Sequence, residues 1–339
     1  MHLSIIIPVF NEQDSIDSFV EAIRPHLARA LDCMGEDAKA ELLFVDDGST
    51  DRTPEILKAL TRRDPQVRFL RLSRNFGKEA ALAAGMRRAR GAAVVPMDVD
   101  LQDPPEVLPQ LVEEWLAGAK VVNARRVDRS TDGHFKRLTA NSFYRAINMV
   151  SETPIPENVG DFRLLDRTVV DAVNSLGETA RFNKGLFAWV GFKVATVDYV
   201  RASRHAGETK WRFRRLWGLA IDGITASTTA PLRIWTYVGG ATALIAFAYA
   251  AFLILHTLST GIDVPGYASI MVSVLMLGGI QLLSIGILGE YVGRIAKEVR
   301  QRPLYIVEGD SDGEGTGPGP DTSPIAHEDS AWTPQRMRA

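Results

Sequence analysis

Short apolar runs alternate with amphipathic stretches through the first two thirds of the chain. Residues 3–9 are apolar apart from Ser4 and predict a buried strand. Asn11-Glu12-Gln13-Asp14-Ser15 supplies capping groups, and Ile16, Phe19, Val20, Ile23 and Leu27 then recur at helical spacing. Leu42-Leu43-Phe44-Val45 predicts a second strand, followed by a polar turn over 46–51 and a helix over about 53–63. Residues 69–72 predict a third strand, 73–78 a loop and 79–89 an Ala-rich helix. Ala92-Ala93-Val94-Val95-Pro96 predicts a fourth strand, 106–116 a helix and 119–124 a fifth strand. A polar, irregular stretch follows, with a helix expected over about 135–150. Residues 160–165 re-enter a structured element, ahead of a helix over about 167–176 and a strand near 192–200. This alternation predicts an α/β domain with a mostly parallel sheet.

The pattern changes in the last third. Residues 234–255 and 266–289 carry long apolar segments, each long enough to span a bilayer at about 1.5 Å rise per residue. The link between them has no Lys or Arg, whereas Arg212, Arg214, Arg215 and Arg233 precede the pair and Arg294, Lys297, Arg300 and Arg302 follow it. The positive-inside rule then places both flanks, and with them the globular domain and the C-terminus, in the cytoplasm of a multi-pass inner-membrane protein. The basic, aromatic stretch from Lys210 reads either as a helix lying in the membrane interface or as an ordinary basic surface helix, and the spans favour the first. The expected layout is a globular domain over 1–210, a juxtamembrane helix over 211–232, spans over 233–256 and 266–290, an amphipathic segment over 291–308 and a disordered tail over 309–339. Gly239-Gly240 and Gly278-Gly279 would let helices approach closely, which admits a homo-oligomer.

Composition narrows the function class. A net charge of −2 over 339 residues argues against a nucleic-acid binder. The single Cys33 excludes an intramolecular disulfide framework and a Cys-rich zinc site. No basic region and long apolar stretch precede the first strand, so no signal peptide is expected.

The candidate chemistry lies where strands end. Asp98 and Asp100 follow the fourth strand, one residue apart, and Asp-x-Asp offers hard oxygen ligands to Mg²⁺ or Mn²⁺. Alone the pair reads equally as two solvated turn aspartates. Asp46-Asp47 sits at the end of the second strand, and ligands of parallel sheets collect beyond such ends, so the coincidence favours a site. Arg125-Arg126 after the fifth strand could hold a diphosphate or form a solvated basic turn.

These residues fall into a known pattern. Ile7-Pro8-Val9-Phe10-Asn11-Glu12, Val45-Asp46-Asp47-Gly48-Ser49-Thr50-Asp51, Asn75-Phe76-Gly77-Lys78, Asp98-Val99-Asp100-Leu101-Gln102-Asp103-Pro104 and Gly207-Glu208-Thr209-Lys210-Trp211 occur in order over about residues 3–215, and the paired apolar segments extend the match to about 302. The chain resembles the membrane-anchored polyprenyl-phosphate glycosyltransferases, similar to dolichyl-phosphate mannose synthases and bactoprenol glucosyltransferases, inverting family-two enzymes of GT-A fold. The resemblance implies a nucleotide-sugar pocket at Pro8, Phe10, Glu12, Val45, Asp47, Asp98 and, through its backbone, Val99, with Arg125 on the diphosphate side and Asp98, Asp100 and Asp161 as the catalytic carboxylates. It implies a metal near Asp100 and Gln102, Asp161 and Arg163 near the sugar and acceptor phosphate, and Arg204 and Lys210 on a loop that meets the lipid phosphate. Val99 stands where the family often has Ala, and Trp211 where it often has Tyr.

The implied reaction moves a sugar from a nucleotide sugar of UDP-glucose or GDP-mannose type to undecaprenyl or dolichyl phosphate, with inversion. The acceptor is already an anion near neutral pH, so no strong base is required, and Asp161 would orient the sugar, act as a weak base or simply shape a turn. His205 reads as a bystander. A processive polysaccharide synthase is the competing enzyme class, but the chain lacks its Gln-x-x-Arg-Trp motif and further spans. A non-catalytic membrane scaffold would not need Asp98, Asp100 and Gln102 intact.

Overall fold

The computed structural model describes residues 2–127, 159–178, 183–200, 266–311 and 317–318, with scattered helical positions between 239 and 259. The chain divides into two compact units. The described residues of the first come from 2–127, 159–200 and 301–318, and those of the second from 239–300.

The first unit is built on a sheet. Strands β1 (His2–Val9), β2 (Lys39–Asp46), β3 (Val67–Leu72) and β4 (Ala93–Pro96) lie in the order β4-β1-β2-β3, all parallel. Their register sets Ile5 beside Leu42 and Val95, and Pro8 beside Val45. The strands are mostly apolar because helices cover both faces, as expected of parallel sheets. On one face Ile5, Ile7 and Phe44 pack with Phe19 and Ile23 of α1 (Ile16–Met34) and with Leu111 of α4 (Leu108–Leu116). On the other, Ile6, Leu43 and Val45 pack under α3 (Lys78–Arg88). That helix, whose buried residues are mostly alanine, comes close to the sheet at Gly85, where a Cβ would lie 2.3 Å from Ile6 Cγ2. Helix α2 (Thr53–Arg63) connects β2 to β3.

The sheet extends past both ends of this core. Strands β5 (Val121–Arg126), β6 (Val159–Asp166), β7 (Val194–Tyr199), β8 (Ile306–Asp310) and β9 (Gly317–Pro318) complete the order β7-β5-β6-β4-β1-β2-β3-β8-β9. Strand β6 runs antiparallel to β4 and β5, and β8 runs antiparallel to β3 and β9; the other seven of the nine strands share one direction. Helices α5 (Arg167–Ser175) and α6 (Asn183–Trp189) follow β6. Away from the acidic strand ends, buried Glu41 accepts from Ser4, from Arg68 and from the Arg90 amide, which satisfies the carboxylate and holds its pKa low in spite of burial.

The structure departs from the sequence expectations at two places. The reach of 306–310, expected as the end of an amphipathic segment and the start of a disordered tail, is β8: it covers the outer edge of β3, with Tyr305 and Val307 buried. A β3 edge left unpaired would expose a row of backbone donors and acceptors, and β8 removes it. The expected helix over 135–150 and the juxtamembrane segment over 211–232 lie outside the described residues, as does the tail beyond 318.

In the second unit, α7 (Tyr267–Val299) is continuous over 33 residues, about 50 Å at the usual helical rise. It runs through the expected boundary at 290 because nothing there stops a helix; Gln301 at a φ of 47° and Pro303 end it instead. Its stretch Met276–Gly293 is long and apolar enough to cross a membrane, with Leu282, Ile285 and Leu288 exposed. It is the one such helix among the described residues. Within the earlier apolar segment the described positions are helical, and Leu244, Ile245, Tyr249, Phe252 and Leu255 among them are exposed.

Candidate active site

The ends of β1 and β2 form one wall. The Asp47 amide donates to the Val9 carbonyl at 2.9 Å, which carries the strand pairing into the turn. Asp46 Oδ1 accepts from the Ser49 amide at 2.9 Å and folds that turn. Asp47 reaches outward: its two oxygens accept from the Phe76 amide at 2.7 Å and the Gly77 amide at 2.8 Å. Gly48, at a φ of +72°, lets the turn nest against the loop before α3, for a Cβ there would stand 2.4 Å from the Arg74 carbonyl carbon. Burial pushes the Asp46 and Asp47 carboxyls up, and their hydrogen bonds only partly oppose it.

Other nucleotide-pocket candidates gather at the same edge. Asn11, at a φ of 55°, accepts from the Thr50 amide at 2.9 Å and donates its own amide to Ser49 Oγ at 2.9 Å. Glu12 donates its amide to Thr53 Oγ1 and accepts from Ser15 Oγ. Phe10 is 43% exposed beside them and Pro8 lies one residue inside the strand end. Val45 and Val99 sit differently, with side chains buried in the two cores, so only their backbone could face a ligand.

A second wall converges from three elements. The Met97 amide donates to the Ile6 carbonyl at 2.9 Å, so Asp98 emerges at the same end of the sheet. Lys78, the first residue of α3, places Nζ 2.7 Å from Asp98 Oδ1 and 2.9 Å from Asp161 Oδ2 on β6. Lys78 and Asp98 are about two-fifths exposed and Asp161 about one-fifth (41%, 38% and 19%). Burial by itself would lower the Lys78 pKa, but the two carboxylates overcome it and hold the ammonium well above the ordinary lysine value. Past Asp98 the chain bends at Leu101, whose φ of 56° is rare for a branched residue, and Asp100 Oδ1 accepts from the Gln102 amide at 3.1 Å. Tyr199 of β7 donates to Asp103 Oδ1 at 3.4 Å.

Two candidate arginines are engaged elsewhere. Arg125 makes a two-point pair with Asp198 on the neighbouring strand, at 2.7 and 2.9 Å. Arg163 is buried, donates to the Gly160 carbonyl at 2.6 Å and lies 4.7 Å over the Phe187 ring. Arg204 and Lys210 lie outside the described residues. Sequence reasoning placed Lys78 in the Asn75-Phe76-Gly77-Lys78 motif but gave it no role. One signal was available: a lysine at the first position of a helix faces the positive end of the helix dipole, an unfavourable place unless carboxylates answer it.

Residues 4–173 match the glycosyl transferase family 2 domain, a stretch that holds both walls, and residues 230–295 match the GtrB C-terminal hairpin. The chain belongs to glycosyl transferase family 2. It is a glycosyltransferase on an α/β sheet of GT-A type. This glycosyltransferase is 49% identical over 311 residues to a prophage bactoprenol glucosyl transferase homolog of Escherichia coli strain K12, a match that covers 91% of this chain and 99% of that protein. It is 49% identical over 308 residues to the SfII prophage-derived bactoprenol glucosyl transferase of Shigella flexneri, covering 91% and 98%. A mannosyltransferase of Pyrobaculum calidifontis in complex with GDP-Man and Mn²⁺ is similar at 19% identity and a TM-score of 0.44, over 88% of this chain and 86% of that one, a likeness too distant to lend this glycosyltransferase its ligands.

Proposed function

We propose that this glycosyltransferase moves a hexose from a nucleotide sugar to a polyprenyl phosphate at the cytoplasmic face of a membrane, with inversion at the sugar. The observation that carries the reading is the identity to bactoprenol glucosyl transferases over nearly the whole of both chains. That name makes glucose the first sugar to test and undecaprenyl phosphate the first acceptor. The exposed apolar surface of α7 supports a membrane anchor, and we assign spans to 233–256 and 266–290. Anchoring keeps the catalytic domain near an acceptor whose head lies at the bilayer surface, which raises its effective concentration.

The two walls suit two anionic substrates. Pro8, Phe10 and Glu12 at the end of β1 and the turn at Asp47 would receive the base and ribose. Asp98 and Arg125 would flank the diphosphate and Arg204 and Lys210 would meet the acceptor phosphate, which buried Arg163 would join only by leaving the Gly160 carbonyl and the Phe187 ring. For Arg125 this role means exchanging Asp198 for phosphate oxygens, an exchange that an exposed pair permits.

The donor set bears on a metal. No group of three His, Cys, Asp or Glu side chains could hold one among the described residues. The Asp98 carboxylate is taken up by Lys78, which leaves Asp100 and the Gln102 amide oxygen. One carboxylate and one amide oxygen fit a Mg²⁺ or Mn²⁺ ion that keeps waters and arrives with substrate phosphates. Asp100 and Gln102 would hold it, and bound there it would neutralise charge on the leaving diphosphate. Asp161 would orient the sugar or the incoming phosphate.

The test is purified protein with undecaprenyl or dolichyl phosphate, Mg²⁺ or Mn²⁺ and a panel beginning with UDP-glucose and GDP-mannose. One glycosyl lipid is expected. No product from any donor refutes the reading, and a long polymer points to a processive synthase. Asp100→Ala should abolish transfer while leaving the circular dichroism spectrum unchanged; full activity of that variant under chelation refutes the metal role.

A further inference from the structure

Lys78 is the one cation that the described structure sets between the two carboxylates of the second wall. Asp98 belongs to the chain that continues to Asp100 and Gln102, on the donor side. Asp161 belongs to β6, two residues from Arg163, on the acceptor side. A single ammonium therefore joins the two sides of the site proposed above, on which this inference rests.

The position of that ammonium is built, not incidental. Gly77, immediately before Lys78, has a φ of +98° and gives its amide to buried Asp47. Asp47 is held in turn by the β1–β2 pairing and by the tight nesting of Gly48 on Arg74. The start of α3 is thus fixed by the end of β2, and the Lys78 side chain leaves from a point that cannot drift far. A lysine there works against the helix dipole, and its ion pairs with Asp98 and Asp161 offset that cost.

We propose that Lys78 is a positioning residue for sugar transfer: its ammonium draws Asp161 toward Asp98 and so sets the acceptor-side carboxylate against the donor side. Removing the ammonium leaves Asp98 and Asp161 to repel each other, and Asp161 swings away from its working orientation.

The experiment uses the full-length protein in lipid nanodiscs and whichever nucleotide sugar gave product in the panel above. Lys78→Met keeps the length of the side chain and removes the charge; Lys78→Arg keeps the charge and changes its shape. Lys78→Met is expected to lower kcat at least 100-fold, with donor KM changed less than about threefold and the melting temperature within about 2 °C of the parent. Lys78→Arg is expected to recover at least tenfold of that loss. Three results would each overturn the proposal. They are a Lys78→Met enzyme within twofold of parental kcat, a loss carried mainly by donor KM or by a lowered melting temperature, and a Lys78→Arg enzyme no faster than Lys78→Met. If Lys78→Met unfolds, the Lys78→Arg rate and its kcat-to-KM split decide alone. A parent that makes no glycosyl lipid refutes the functional reading instead, so the two failures are distinct.

Discussion

Asp166→Asn isolates the worth of one carboxylate at the junction of β6 and α5. Asp166 accepts from Thr168 Oγ1 at 2.6 Å, the Thr168 amide at 3.0 Å, Trp115 Nε1 at 2.7 Å and Lys120 Nζ at 3.1 Å. It therefore caps α5, anchors α4 through Trp115 and ties down the start of β5. Burial alone would raise its pKa; the four donors more than offset this and hold it at about 2, against an ordinary 3.8. At about 1.4 kcal/mol per tenfold change, the gap corresponds to about 2.5 kcal/mol of stability at pH 7. The sign follows from the depressed folded value. The contribution is full above the unfolded pKa and is lost as pH falls through the window from about 4 to about 2, with about half remaining at pH 3. Asparagine keeps an acceptor and removes the charge, much as protonation does. For a domain of this size the loss should lower the melting temperature by about 5–10 °C at pH 7. Thermal unfolding followed by tryptophan fluorescence measures this, and urea midpoints at pH 7 and pH 3 measure the pH term. Asp166 pairs with Ala93 at the start of β4, the opposite end from Asp98, so sugar transfer at low temperature should persist. An unchanged melting temperature at pH 7, or an equal deficit at both pH values, would refute the reasoning.

Two further perturbations probe the walls and the sheet edge. Gly48→Ala forces a Cβ into the Arg74 backbone at a positive φ, so it should cost about 1–3 kcal/mol and cut kcat by displacing the loop that carries Lys78; Gly278→Ala, with nothing within 4 Å, should leave both melting temperature and kcat unchanged. Val307→Asp buries a charge beside β3 and should speed hydrogen exchange at the amides of Val67–Leu72 while β1 stays protected, as mass spectrometry of peptic fragments can resolve; equal exchange in both strands would contradict the assigned pairing.

How much of this was legible depends on where the information lay. Strands β1, β2 and β4 announced themselves because both faces are buried, so each holds an apolar run bounded by turns, and β3 showed as a shorter run broken by Arg71. Strand β6 did not, since Gly160, Asp161 and Arg163 interrupt its apolar pattern. Strand β8 is five residues long and its identity as a strand comes from β3, a partner so distant that Phe69 and Ser311 bond across 242 residues. The acidic pairs were readable as local motifs at strand ends. Lys78 was legible as part of a motif, but its pairing was not, because one partner is Asp161 on a strand much later in the chain. The expectation that Val45 and Val99 line the pocket could be refined only when their side chains were seen in the cores.

The placement of β8 has a consequence for how the protein is made. A ribosome delivers β1 to β7 early, then α7, and only afterwards the five residues that close the β3 edge. Until then the nascent sheet carries an open, strand-shaped template of the kind that recruits other chains. Strand β8 thus acts as a seal on the β3 edge. A product truncated before Ile306 would carry its own mark of incompleteness, a bare edge that quality-control proteases and chaperones can recognise.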